Sequence, residues 1–331
     1  MEKWRYARHE KLVELGKKGQ TALLGASAAV VGCGGLGASI SMLLARSGVG
    51  YITLFDHDIV EEHNLQRQTL YSEQDIGKKK AGMAKQRLME INRDVAVKSH
   101  DQTLEHSNIS LLDGADIILD ATDNLSTRFL INDYCVKNNK PWIYGGAVAT
   151  EGMTATFVPG PEEPCFRCLF PNMPPPGSIK TAESIGILGP LPTLVATVQV
   201  VEALKVLTGA SHRRTLLYVD PWHGIWREAE IKKEKGCKCC GQHQYPFLDG
   251  KTEHLSARIE RGGQVALTPS KKTSGLARAL KKLYPSGSLQ NDSFIISADG
   301  AELVVYDDGQ ALVMGLGEEE AKKLYSRYVG W

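Results

Sequence analysis

Residues 27–56 constrain the fold more than any other stretch of the chain. Ser27 to Gly32 (SAAVVG) is a short apolar run closed by glycine. Leu36 to Ala45 (LGASISMLLA) repeats its apolar residues at helical spacing, and Tyr51 to Asp56 (YITLFD) is a second apolar run closed by an acid. Strand, glycine turn, helix and strand in that order make a βαβ unit. The turn, Gly32-Cys33-Gly34-Gly35-Leu36-Gly37, fits G-x-G-x-x-G. Its glycines permit a tight turn and close backbone approach, and the helix start behind it offers free N–H groups to phosphate. Asp56 stands about twenty residues on, where such folds hold a ribose hydroxyl.

The pattern continues as an open sheet. Ala115 to Asp120 is a later strand ending in an acid, Trp142 to Tyr144 a short one before Gly145-Gly146, and Thr154 to Val158 and Leu216 to Asp220 two more. Thr193 to Leu207 reads as a helix stopped at Gly209. These elements predict an α/β protein with a Rossmann-like, doubly wound, mostly parallel sheet over residues 1–245. Residues Leu169 to Pro192, with Pro171, Pro174, Pro175 and Pro176, show no period and read as a long functional loop. After Gly241 the character changes. Ser293 to Ala298, Ala301 to Tyr306 and Gln310 to Met314 alternate like strands, Asp307-Asp308-Gly309 is a turn, and Glu318 to Tyr328 is an amphipathic helix. Residues 246–331 therefore read as a small, β-rich α+β appendage in which Tyr328 and Trp331 serve as core or contact surface.

Charge and hydropathy exclude other classes. The formal net charge is +1, so no global field draws the chain to nucleic acid or a membrane surface. The longest apolar stretch, Ile187 to Leu207, contains Pro190, Pro192, Gln199, Glu202 and Lys205, which suits a buried helix better than a membrane span. The start of the chain has no apolar signal core, and the expectation is a cytoplasmic protein.

A nicotinamide-dependent oxidoreductase would use the same glycine turn and Asp56. The stretch after Asp56 points elsewhere. Asn64, Arg67 and Gln68 fall at i, i+3 and i+4, one face of a helical turn, and an arginine there suits phosphate. Lys78, Lys79 and Lys80 are either a solvated face or a source of one cation for a pyrophosphate leaving group. Asp123, in Asp120-Ala-Thr-Asp123-Asn124, is either a Mg²⁺ ligand at the carboxyl end of a strand or the N-cap of the helix that follows.

Seven cysteines stand at 33, 135, 165, 168, 237, 239 and 240. The odd number argues against a disulfide framework. Cys165-Phe-Arg-Cys168 and Cys237-Lys-Cys-Cys240 are two C-x-x-C knuckles, fit for a structural tetrahedral Zn²⁺ that pins two distant segments, or for a redox dithiol. A register through Cys239, or a ligand from His243, stays open on spacing alone. Cys33, Cys135 and Cys239 read as buried residues.

Taken together, Gly32-x-Gly34-Gly35-Leu36-Gly37, Asp56-x-Asp58, Asn64-Leu65-Gln66-Arg67-Gln68, Lys80, Thr122-Asp123-Asn124 and the leading Arg5-Tyr6-Ala7-Arg8 resemble the ThiF/MoeB/HesA adenylyltransferases, relatives of the ubiquitin-activating enzymes. The resemblance covers residues 4–245, and the appendage is similar to that of Bacillus-type ThiF proteins. It implies ATP-dependent adenylation of the C-terminal Gly-Gly carboxylate of a ubiquitin-like sulfur carrier, in thiamin or molybdopterin synthesis, by a homodimer. It assigns the ribose to Asp56 and the nucleotide more widely to Gly34, Gly35, Gly37, Asp58 and Asn124. Asn64, Arg67, Gln68 and Lys80 would surround the triphosphate, Asp123 would bind Mg²⁺, and Arg8 would act on the partner subunit's site. It selects Cys165, Cys168, Cys237 and Cys240 for zinc. One departure stands out. Ala182, in Thr181-Ala182-Glu183-Ser184-Ile185-Gly186-Ile187, occupies the place of a crossover-loop cysteine, so no covalent carrier step is expected there. A non-catalytic scaffold that binds a ubiquitin-like partner is the alternative this departure leaves.

Overall fold

The computed structural model describes residues 4–174, 180–251, 255–260, 263–269, 272–298 and 300–329. Pro175, Pro176 and Trp331, singled out above, lie outside the described residues. In chain order the main elements are α1 (Gly16–Gly25), β1 (Ser27–Val31), α2 (Gly35–Ser47), β2 (Tyr51–Phe55), α3 (Lys80–Ile91), β3 (Ala96–His100), β4 (Ile117–Asp120), α4 (Leu125–Lys137), β5 (Trp142–Val148), β6 (Glu151–Phe157), α5 (Phe166–Leu169), α6 (Ala182–Ile185), α7 (Pro190–Thr208), β7 (Thr215–Asp220), β8 (Ile225–Glu230), β9 (Leu255–Ile259), β10 (Val265–Pro269), α8 (Leu276–Leu283), β11 (Ser288–Gln290), β12 (Ser293–Ala298), β13 (Ala301–Tyr306), β14 (Ala311–Met314) and α9 (Glu318–Val329).

Two compact units divide the chain. The first holds residues 1–123, 127–171 and 188–248, and the second holds 124–126, 172–187 and 249–331. In the first, an eight-stranded sheet runs β3-β2-β1-β4-β5-β6-β7-β8. Its first five strands are parallel and the last three antiparallel. The strand order reverses between β1 and β4, which opens a crevice at their carboxyl ends. Central strands β1 and β4 are buried on both faces, as their unbroken apolar sequences require. The chain runs from β1 outward through β2 to β3 and then returns to β4 on the other side of β1. Ala28, Val30, Ile117, Leu119 and Val219 join α2 and α7 in one core cluster. Aromatic packing dominates the other side, where Trp142, Tyr144 and Phe157 meet Phe166, and Phe129 of α4 stacks on Phe247.

Several boundaries differ from the expectations. Helix α7 begins at Pro190 rather than Thr193. A proline at the first helical position loses no intrahelical hydrogen bond, so it opens the helix instead of blocking it. The long loop is correspondingly interrupted by α6 and shortened by the start of α7. Strand β5 runs through Gly145-Gly146 to Val148 and turns at Ala149 (φ 51°) into β6. By length and composition α7 could cross a membrane, with mean hydropathy 1.4 over its apolar window, and here it packs on α2, β5 and β6.

The second unit is an antiparallel sheet of order β11-β12-β13-β14-β10-β9. Leu303, Val305, Phe294, Val313 and Leu267 point from the sheet into a core closed by Leu280 of α8 and Leu324 and Tyr325 of α9. Met173 packs against the same cluster, and Thr181 Oγ1 donates to the Arg327 carbonyl at 3.5 Å. The segment before α7 thus folds with this unit although it lies far away in sequence.

Candidate active site

The glycine turn is dictated by contact. Gly32 has φ 93°, and a Cβ there would lie 2.6 Å from the Ala121 carbonyl oxygen. At Gly37 it would lie 1.8 Å from the Gly32 carbonyl oxygen, so any side chain would force the helix off the strand. Gly34 caps α2, leaving the first-turn N–H groups directed into the crevice. Pro192, at the start of α7, would sit 3.1 Å from a Cβ on Gly35, so α7 walls the same cradle.

The carboxylates gather beside this turn. Asp56 Oδ2 accepts the Cys33 N–H at 2.6 Å and Oδ1 accepts the Asp58 N–H at 2.8 Å. A carboxylate has about four lone-pair sites, so acceptors remain for hydroxyls. Burial pushes the Asp56 carboxyl above its ordinary range, against the attraction of Lys80. Desolvation would raise Asp58 too. The hydrogen bond from His57 and the Lys80 charge outweigh it and hold Asp58 well below the usual carboxylate range. The Lys80 ammonium lies 3.1 Å from Asp58 Oδ2, with its side chain 7% exposed. Lys78 and Lys79 are exposed, so the lysine run resolves into two solvated residues and one that turns inward at the first position of α3.

Asn64, Arg67 and Gln68 share one helical turn. Asn64 is buried, and its side chain accepts from the Glu61 N–H. Arg67 Nη1 donates to the His63 carbonyl at 2.9 Å. Gln68 is buried, its Nε2 would lie 3.8 Å from a Cβ on Gly34, and its Oε1 has no hydrogen-bond partner in the structure. A buried orphaned acceptor beside an anion-binding turn is what a polar ligand would satisfy.

The β4 end is held by a group that sequence reasoning missed. Asp120 is fully buried. It accepts Thr122 Oγ1 at 2.7 Å and Arg128 Nε at 3.0 Å. Arg128 also donates to the carbonyls of Thr122 and Gly145 and lies over the Tyr144 ring. Asp123 emerges, exposed, from the turn so fixed. A lone exposed carboxylate fits Mg²⁺, which keeps several waters and shares phosphate oxygens. The carboxylates of Asp56 and Asp58 with His57 form a second possible cation cluster, but Lys80 already sits against it. Asn124 belongs to the second unit, where it donates to Ser326 Oγ at 3.1 Å. Arg8 is exposed. Its neighbour Tyr6 meets Asn92, at the end of α3, and Gly48, at the end of α2. The α2 end lies toward the amino-terminal ends of the strands, about 20 Å from the glycine turn at 1.5 Å per helical residue.

The four knuckle cysteines converge. The ligand atoms of Cys165, Cys168, Cys237 and Cys240 lie within 4.8 Å of one another, with Sγ–Sγ distances of 3.7 Å (Cys165–Cys237) and 3.5 Å (Cys168–Cys240). A disulfide needs about 2.05 Å. A tetrahedron of Zn–S bonds near 2.3 Å has edges of about 3.8 Å, so the donor set fits zinc. Cys239 lies outside this group of four and accepts from Asn132 Nδ2, and His243 pairs with Tyr245. Cys33, Cys135 and Cys239 are all fully buried.

With this geometry in place, comparison with known proteins gives a consistent result. The ThiF family model matches residues 6–240. The chain is 36% identical over 336 residues to the sulfur carrier protein ThiS adenylyltransferase of Bacillus subtilis (strain 168), covering 98% of this chain and 99% of that protein. It is 38% identical over 247 residues to the sulfur carrier protein adenylyltransferase of Thermus thermophilus, covering 72% and 90%. Among solved structures, E. coli MccB with ATP is similar at TM-score 0.64 and 25% identity, covering 73% of this chain and 75% of that one.

Proposed function

The chain belongs to the ThiF family, and from that membership we propose that it uses ATP to adenylate the C-terminal carboxylate of a small ubiquitin-like sulfur carrier ending in Gly-Gly. The observation that carries the reading is the inward Lys80 ammonium beside Asp56 and Asp58 at the glycine turn: a cation held where a triphosphate would lie. The similarity that extends through the appendage favours a ThiS-like, thiamin-pathway carrier over a MoaD-like one. Family membership leaves the oxidoreductase alternative without support.

The chemistry needs no protein nucleophile, because the carrier's carboxylate is ionised at pH 7. Its oxygen attacks the α-phosphorus, the bond from that phosphorus to the bridging oxygen breaks, and pyrophosphate leaves with both electrons of that bond. Catalysis is then positioning and charge neutralisation. Asp56 holds the ribose. The α2 N-terminus, Asn64, Arg67, Gln68 and Lys80 receive the phosphates, and Lys80 exchanges Asp58 for phosphate. Asp123 would hold Mg²⁺, which supplies further charge neutralisation on the leaving group. Arg8 is read as acting on the cradle of a second copy in a homodimer. The four cysteines hold a structural zinc. Ala182 offers no thiol, so the proposed product is the free acyl-adenylate.

The test is ATP–pyrophosphate exchange with purified carriers ending in Gly-Gly. Exchange should require the intact Gly-Gly end, and Arg67→Ala should lower it roughly 100- to 1,000-fold with the fold intact, by analogy with loss of one oxyanion donor. Exchange with no carrier tried would sink the substrate assignment, and near-normal exchange by Arg67→Ala would remove Arg67 from the mechanism.

A further inference from the structure

A chain of hydrogen bonds runs beneath the cradle, joined by one phenol proton that faces two backbone carbonyls. Asp56 Oδ2 accepts from the Cys33 N–H at 2.6 Å. The single Tyr71 O–H proton is shared between two acceptors, the Cys33 carbonyl at 2.9 Å and the Lys80 carbonyl at 3.2 Å. The Lys80 ammonium meets Asp58 Oδ2 at 3.1 Å, and the Asp58 N–H returns to Asp56 Oδ1 at 2.8 Å. Three segments distant in sequence, the glycine turn, the end of β2 and the start of α3, are thereby fused through one buried phenol.

The links are not equivalent. Under the function proposed above, on which this inference rests, Asp56 turns toward a ribose and Lys80 leaves Asp58 for phosphate. Tyr71 is the side-chain link that a nucleotide does not take over. Its proton is permanent, since burial and the neighbouring Cys33 and acids push the phenol far above its ordinary range. We propose that Tyr71 is a positioning residue for nucleotide binding and adenylation: its hydroxyl ties the backbone of the glycine turn to that of Lys80, so the ammonium transfers from Asp58 to the triphosphate without the start of α3 moving. The sequence gives no hint of it, because tyrosine at position 71 follows the Asn64–Gln68 turn like any apolar residue and the partners lie 38 and 9 residues away.

Tyr71→Phe removes only the hydroxyl. Losing one hydrogen bond of ordinary net strength should weaken ATP binding about three- to tenfold, read by calorimetry on the full chain without carrier. The exchange assay should show a matching loss in kcat/KM. A merely structural phenol would lower both by the same factor whether or not Lys80 is present. A positioning phenol acts through Lys80, so Tyr71→Phe should cost nothing further for ATP binding in a Lys80→Ala background. Wild-type affinity in the single variant, equal losses in both backgrounds, or a phenylalanine variant too unstable to purify would each overturn the proposal. Calorimetry needs no carrier, so failure of exchange with every carrier would count against the substrate and leave this test readable.

Discussion

The cradle and the cysteine cluster lie in one unit, and each joins segments far apart in sequence, yet they are built on opposite principles. In the cradle the polar groups are paired in ways a ligand can exchange: Lys80 with Asp58, an acceptor on Gln68 left unpartnered, Asp123 at the surface. At the cluster four sulfurs converge within 4.8 Å of one another, Cys165 and Cys237 are buried, and four thiolates would fill a tetrahedral site without an open position. Reversible chemistry needs the first arrangement and permanent crosslinking the second. Helix α4 serves both, with Arg128 under the cradle and Asn132 and Asp133 beneath the cysteines.

The largest effect should come from the closed site. Cys237→Ser, or a strong chelator, should release the metal and lower the melting temperature by on the order of 10 °C or more, because structural zinc binding is itself folding free energy. Metal content and melting curves check this, with Cys239→Ala as the variant that keeps its metal. Full metal and unchanged melting in Cys237→Ser would erase the contrast.

Next comes the cradle floor. Arg128→Met leaves Asp120 buried without its cation and should cost about 3–5 kcal/mol in denaturant unfolding. Arg67→Ala should leave the same curve unmoved. If the two variants unfold alike, the division between a rigid floor and an exchangeable rim is mistaken.

The smallest effect is a pH dependence beneath the cluster. Burial pushes the Asp133 carboxyl up to about 6, against the Phe247 N–H and the charge of Arg167. The folded state then binds this proton more tightly than the unfolded chain, whose value is 3.8. The contribution is therefore full below pH 3.8 and is lost as pH rises through about 6. The ceiling is roughly 3 kcal/mol for a shift of that size. Asp133→Asn should flatten stability between those pH values in a titration of unfolding free energy. An unchanged slope would mean that the carboxyl is better solvated than its burial implies.

The sequence by itself determined what depends on neighbours in the chain. The β1–α2–β2 unit, its glycines, Asp56 at the strand end, the Asn64–Arg67–Gln68 face and the two cysteine knuckles were all legible, because strand and helix periods and tight turns act over a few residues. Motif resemblance extended this to function. Helices α1 and α3 and the edge strands β3 and β8 were not picked out, being short or polar enough that packing rather than pattern decides them. Only the tertiary structure decided which of three consecutive lysines turns inward, which cysteine of the second knuckle stays outside the group of four, that Arg128 pairs with Asp120, and that Tyr71 faces two backbone carbonyls. Each depends on contacts between residues remote in sequence, and those contacts exist only once the sheet has set the distances between them.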